Sequence, residues 1–175
     1  MAFPFAVQRW FDGTWWEVTV PDGWEAKQDK SIDGGPYRFS SPGGAYLQLG
    51  SGKGVELSGY RDDVESRNLK SEDERRAYLM TQRAAWMVRW EGSALRYFLG
   101  MIADAFAIYP KVEKCDAGKL RGYIFRTGSG ANRKCLGYFT FRDWTIYALF
   151  RADDNHFDGD FGEALSILRS MQFRA

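Results

Sequence analysis

Three β-prone segments late in the chain, residues 120–127, 134–142 and 144–152, follow one another with very short connections. That spacing constrains the fold more than any other feature, because a parallel pair would need a crossover of a dozen residues or more. An antiparallel meander is therefore expected. Gly128-Ser129-Gly130-Ala131-Asn132 supplies its first turn, and Asp143 marks a very tight second one. In the third segment Trp144, Ile146, Ala148 and Phe150 share one face, while Thr145, Tyr147, Leu149 and Arg151 share the other. The first set is expected to meet the helices.

The first third of the chain also reads as strands and turns. Residues 14–20 are rich in β-branched and aromatic side chains, and Pro21-Asp22-Gly23 ends the run. Residues 5–11 form a plausible partner across the Asp12-Gly13 turn, an Asp-Gly pair between two β-prone runs being a strong hairpin signal. Residues 37–41 and 45–49 form a second, brief pair around Pro42-Gly43-Gly44.

Composition changes near Tyr60, where charges become dense and glycine disappears until Gly92. Ser71-Glu72-Asp73-Glu74 has the spacing of a capping box, which predicts a helix from there to about residue 91. Ala77, Met80, Ala84, Met87 and Val88 form its expected core stripe, with Trp86 and Trp90 on a neighbouring strip. Those tryptophans read in two ways, as the wide edge of a buried face or as a hydrophobic ridge offered to another protein. Arg83 and Arg89 lie close enough to cover the indole faces in either case.

Residues 93–109 fit a helical stripe of Leu95, Phe98, Ile102, Ala105 and Tyr109, although Gly100 and the aromatic content equally suit strands. Helix is the reading adopted. A last helix is expected near Asp160, with Asp160 capping, Glu163 three residues on, and Phe161, Leu165, Leu168 and Met171 facing the core. Antiparallel strands with segregated helices make a single α+β domain of 175 residues.

The search for chemistry returns near misses. Gly50-Ser51-Gly52-Lys53-Gly54 resembles a phosphate loop, but Leu47 and Gly54 stand where the Walker pattern needs glycine and Ser or Thr, so a flexible turn is the better reading. The stretch 154–159 partly copies a calcium loop, yet His156 and Leu165 occupy positions that need oxygen ligands. His156 is the only histidine, and Cys115 and Cys135 lack the second pair of a structural zinc site, so no cofactor or metal is expected. The cysteines read as two reduced thiols, with a disulfide left open. No catalytic residue stands out.

Charge is nearly balanced, at +1 from 24 basic and 23 acidic residues, so no global field attracts nucleic acid or an anionic membrane surface. Arg133 and Lys134 beside the glycine-rich turn do not make a nucleic-acid motif. No run of about 18 apolar residues occurs, hence no membrane span is expected, and without a secretory signal the cytoplasm is the expected location. What remains unusual is the aromatic content: seven Trp, nine Tyr and thirteen Phe are more rings than a core of this size needs to close. Surplus rings are natural anchors for a protein partner. Trp15, Trp16, Trp86 and Trp90 are the candidate anchors, and Arg133, Lys134, Asp154 and Asp158 the candidate polar rim.

Val20-Pro21-Asp22-Gly23-Trp24-Glu25, the late meander, and Ile167-Leu168-Arg169-Ser170-Met171-Gln172-Phe173 together give the chain a further character: it resembles the PsbP-like superfamily. That superfamily includes extrinsic photosystem proteins, a Ran-binding nuclear import factor and the bacterial Eag-type adaptors of type VI secretion effectors. The resemblance implies a curved antiparallel sheet with flanking helices that serves as a non-enzymatic protein-binding scaffold, and it transfers no functional residue. The expected function is binding of a protein partner, as an immunity protein or adaptor-chaperone for a toxin or effector, with homo-oligomerisation open. The contrasting expectation is a small enzyme or ligand-binding domain whose pocket, between the sheet and the second helical region, is lined by Tyr97, Tyr109 and Cys115.

Overall fold

The structure is a computed structural model that describes residues 8–11, 16–28, 36–90 and 92–174. In chain order the elements are β1 (Gln8–Phe11), β2 (Trp16–Val20), β3 (Glu25–Gln28), β4 (Tyr37–Ser40), β5 (Tyr46–Lys53), α1 (Val64–Asn68), α2 (Glu72–Trp90) and α3 (Ala94–Ala105). They continue with β6 (Glu113–Lys114), β7 (Arg121–Thr127), β8 (Arg133–Phe141), β9 (Trp144–Ala152), α4 (Phe157–Arg169) and β10 (Gln172–Phe173). The result is an α+β fold built on antiparallel sheets.

Seven strands pair in the order β3-β4-β5-β9-β8-β7-β6, and a small sheet of β1, β2 and β10 stands beside them. The expected meander is its centre, with β7, β8 and β9 in continuous antiparallel register. The expected N-terminal hairpin is present as β1 and β2, Phe11 lying opposite Glu17. Its Asp12-Gly13 turn lies outside the described residues. The C-terminal β10 closes the other edge of β2.

One local reading is overturned by long-range pairing. Gly50-Ser51-Gly52 is strand rather than flexible turn, because β5 pairs with β9 from Tyr46 opposite Arg151 to Lys53 opposite Trp144. Ladder hydrogen bonds on that scale outweigh the weak strand preference of glycine.

The large sheet is packed on both faces. Cys135, Phe139, Ile146, Ala148 and Phe150 point toward Phe157, Ala164, Ile167 and Leu168 of α4 and the β2 side chains Trp16, Val18 and Val20. On the opposite face Tyr123 joins Ala77, Tyr78, Leu79 and Ala85 of α2. The face carrying Ile146, Ala148 and Phe150 thus meets α4 and β2, while α2 lies over the other face of β7 and β8, so the helices do not share one side as expected. Two glycines permit the tight packing of the meander: a Cβ at Gly122 would fall 2.2 Å from the Phe139 ring, and one at Gly137 2.4 Å from the Tyr123 carbonyl oxygen.

Side chains of α2 fix it to the sheet. Asp73 accepts the Arg142 amide at 3.0 Å and Arg76 donates to the Arg142 carbonyl at 2.6 Å, so the first turn of the helix grips the tight β8–β9 connection. Ser71 accepts the Glu74 amide at 3.4 Å, but the Glu74 carboxylate turns to Lys114 and Tyr123 instead of completing a capping box. Asp63 caps α1 through the Ser66 amide at 2.7 Å and reaches α2 through the Tyr78 hydroxyl at 2.6 Å and the Gln82 amide at 2.8 Å.

The stripe expected for α2 holds for Ala77 and Met80, whereas Met87 and Val88 are exposed. Toward its end α2 keeps Ala85 in the Tyr123 cluster and packs Trp86 and Trp90 against Gly100 of α3. At the end of the fold, α4 begins at Phe157, three residues before the expected cap. Asp160 and Glu163 serve other purposes, accepting from the Ser41 hydroxyl at 2.7 Å and the Trp24 indole at 2.5 Å.

Candidate functional site

The long, convex helical hairpin of α2 and α3 covers one face of the sheet only in part. It lies over β7 and β8 and leaves β5 and β9 open beside it. Between Met80 of α2 and that open face runs a groove of about 370 Å³, lined also by Gly50, Ser51, Gly52, Val55, Tyr138, Thr145 and Tyr147. Register places Gly50 opposite Tyr147 and Gly52 opposite Thr145, so both glycines floor the groove. A Cβ at either position would meet nothing within 4 Å. Tyr138 and Tyr147 form a tilted cross-strand pair 5.2 Å apart, and burial raises the pKa of both phenols. The hydroxyl of Thr145 is buried without a hydrogen-bond partner. The groove therefore combines a bare backbone floor, two rings and an adaptable methionine.

A second concavity, a cleft of about 120 Å³, lies between α2, α3 and the 59–61 loop. Tyr109 donates to Asp104 at 2.9 Å, and Arg61 reaches the same residue through its backbone carbonyl at 3.1 Å. Burial, then the bond to Asp104, raises the Tyr109 pKa. Trp86 lines this cleft, and its buried indole N–H has no partner. The pocket expected from Tyr97, Tyr109 and Cys115 does not form: Tyr97 is exposed on α3, and Cys115 packs with the core on the α4 face of the sheet.

The candidate anchors separate sharply. Trp16 is 0% exposed, sits in the main core edge-on to Tyr37, and donates to the Ser51 hydroxyl at 3.2 Å, so it is a core ring and not a surface anchor. Alternation along β2 turns it inward with Val18 and Val20. Trp15 lies outside the described residues. Trp86, 6% exposed, and the half-buried Trp90 form the seat of α3. They receive Gly100, where a Cβ would stand 2.7 Å from the Trp90 Cβ and 3.0 Å from Trp86. Arg83 and Arg89 stand over the two indoles, at 5.0 and 5.3 Å from the ring centres. The tryptophans are thus buried by their own chain.

Three of the four candidate rim residues, Arg133, Asp154 and Asp158, find partners within the molecule. Arg133 lies over the Phe157 ring at 4.2 Å and pairs with Asp154 and Asp158, each at 3.9 Å. Asp154 further accepts the Gly130 amide at 2.7 Å, closing the β7–β8 connection. Lys134 follows Arg133 on β8 and so points to the opposite face. Arg133, Asp154 and Asp158 thus form one cluster at the start of α4, and Lys134 does not join it.

Neither cysteine is assembled into a reactive group. Both are free thiols; burial pushes Cys135 up to about 12 and raises Cys115 as well. His156 stands at the exposed start of α4 with its Nδ1 2.8 Å from Asp153.

Sequence reasoning missed the groove because its floor is defined by a pairing between distant strands. It also placed the wrong face of α3 inward. Gly100 and Ala103 are the buried positions, and Leu95, Phe98 and Ile102, expected in the core, are exposed. The clue was the glycine itself, the one residue in this helix that admits an indole so closely.

No protein-family model matches the chain, and no curated protein does. Solved structures share its fold. The solution structure of cyanobacterial PsbP (CyanoP) from Synechocystis sp. PCC 6803 superposes with a TM-score of 0.51 at 13% identity, over 99% of this chain and 95% of that one. A crystal structure from Bacteroides thetaiotaomicron VPI-5482 gives a TM-score of 0.50 at 11% identity, over 95% of this chain and 48% of the other. The chain spans about half the length of that second protein. Likeness at this level shows a PsbP-like fold and nothing finer. Among the described residues no helix is long and apolar enough to cross a membrane.

Proposed function

We propose that this chain is a non-enzymatic protein-binding protein that receives an extended segment of its partner in the groove beside α2. The observation that carries this reading is the pair of bare glycines on the groove floor, Gly50 and Gly52, with open space where side chains would be. A strand without side chains lets another backbone come close. Tyr138 and Tyr147 offer ring surface to the side chains of a segment laid along the groove. The PsbP-like fold, and the resemblance to a superfamily that includes Eag-type adaptors, support as the setting an adaptor-chaperone or immunity protein for a toxin or effector, acting in the cytoplasm.

The test is a substitution that fills the groove without disturbing the free protein. Gly50→Val has room for its side chain and removes a flexible residue from a strand, so stability is expected to hold or rise by about 0.5–1 kcal/mol. Affinity purification from the native host followed by mass spectrometry should recover a stoichiometric partner with the unaltered protein and lose it with the variant. Undiminished recovery by Gly50→Val sinks the groove as the binding site.

A further inference from the structure

We infer that the outer face of α3 docks on an anionic lipid surface, lying in the interface without crossing it. This is independent of the groove, which faces the sheet.

The helix presents Leu95, Phe98, Leu99, Met101 and Ile102 to solvent, and the following residue Phe106 is 74% exposed. Its only buried positions are Gly100 and Ala103, so apolar side chains occupy most of its circumference. Ala107, in the left-handed region at φ 54°, turns the chain so that Ile108 is exposed as well. Contiguous apolar area of this kind marks a surface that is covered in use.

Charge and shape together select what covers it. The stretch 83–111 holds four basic and two acidic residues, in a chain that is otherwise balanced. Arg83, Arg89, Arg96 and Lys111 are exposed, and none makes an ion pair among the described residues. The acid Asp104 is already engaged by Arg61 and Tyr109. Arg83 and Arg89 stand over the indoles of α2 and Arg96 lies on α3 itself; with no ion partner among the described residues, these cations favour an anionic surface. They disfavour a second copy of this chain, whose own basic rim would be brought against the first. The face is the outward side of a single helix, a ridge carrying Leu95, Phe98, Leu99, Met101 and Ile102. Fluid acyl chains surround such a ridge, whereas a rigid protein partner would need a matching trough. With 12 residues α3 is about 18 Å long, too short to span a hydrocarbon core of about 30 Å, so it lies in the plane with its bulky side chains inserted and the arginines at headgroup level.

Sedimentation with vesicles tests this directly. The protein is expected to bind vesicles of phosphatidylcholine mixed with phosphatidylglycerol, to bind pure phosphatidylcholine far more weakly, and to be released as salt is raised. Phe98→Asp with Ile102→Asp should leave it in the supernatant, with a melting curve like that of the parent because both positions are exposed. Arg89→Gln with Arg96→Gln should weaken binding by about fivefold per arginine; this pair decides the matter if the apolar variant melts early. No binding to the mixed vesicles, equal binding to both kinds, or binding untouched by these substitutions overturns the inference. So does light scattering that shows a dimer dissolved by Phe98→Asp with Ile102→Asp, since a second copy would then own the face.

Discussion

The hydroxyl of Thr81, carried by α2, accepts the backbone amide of Tyr138 at 3.0 Å and donates to the Tyr123 carbonyl at the same distance. A helix side chain is thereby stitched into the ladder between β8 and β7. Thr81→Val keeps the shape and strands both backbone groups, so a loss of about 2–4 kcal/mol is expected in urea unfolding. Thr81→Ser retains the bonds and should lose only about 1 kcal/mol for the missing methyl. Equal losses for the two variants would show that the hydroxyl contributes nothing.

Asp63 links α1 to α2 and should leave its mark on acid stability. Burial raises its carboxyl pKa, but hydrogen bonds from Tyr78, the Ser66 amide and Gln82 outweigh that and hold it below the ordinary 3.8. A folded-state pKa below the unfolded one means stability fully present above about pH 4 and lost as pH falls through the folded value. Asp63→Asn should lower stability at neutral pH by about 1–2 kcal/mol and flatten the acid limb of the stability curve. Denaturant titrations of parent and variant between pH 2 and 7 read both effects; parallel curves would remove Asp63 as a contributor.

Gly100 is the point at which α3 meets the tryptophans. Gly100→Ala places a methyl 2.7 Å from the Trp90 Cβ and 2.8 Å from its Cγ, which forces the helices apart. A cost of about 1–3 kcal/mol is expected. Hydrogen exchange should report it locally, with faster exchange over residues 94–105 and unchanged protection in β7, β8 and β9. Uniform acceleration would mean that α3 is not a separable layer.

The two thiols should resist modification while the protein is folded. Burial favours the neutral thiol at Cys135 and Cys115, and the thiolate is the reacting species. A chromogenic disulfide reagent at pH 8 should label Cys135 only after unfolding and Cys115 more slowly than free cysteine. Rapid labelling of Cys135 in native buffer would contradict its placement under α4.

How much of this was legible in the sequence depends on the range of the interaction. The meander and the α2 helix follow from local spacing and charge, and they stand where the residues put them. The first hairpin is likewise present. Gly50 to Gly52 misled, because a glycine-rich run looks like a turn until β9 arrives to pair with it. Trp16, Trp86 and Trp90 show the same limit. Their side chains are large enough to be core or anchor, and only the positions of Tyr37 and Gly100 decide. In α3 the period was right and the phase was wrong: the helix turns its small residues inward, the reverse of the usual amphipathic pattern, so hydrophobicity pointed to the side that stays uncovered.

The marriage of β5 to β9 also sets a timetable. About ninety residues lie between the two strands, and a ribosome adding roughly 5–20 residues per second needs on the order of 5–20 s to deliver the second after the first. Through that interval Leu47 and Leu49 are paired on the β4 side alone, and the other edge of β5 is open. The nascent chain thus carries an open sheet edge until β9 is delivered, and its yield in a cell should depend on holdase chaperones and growth temperature more than on the stability of the finished protein.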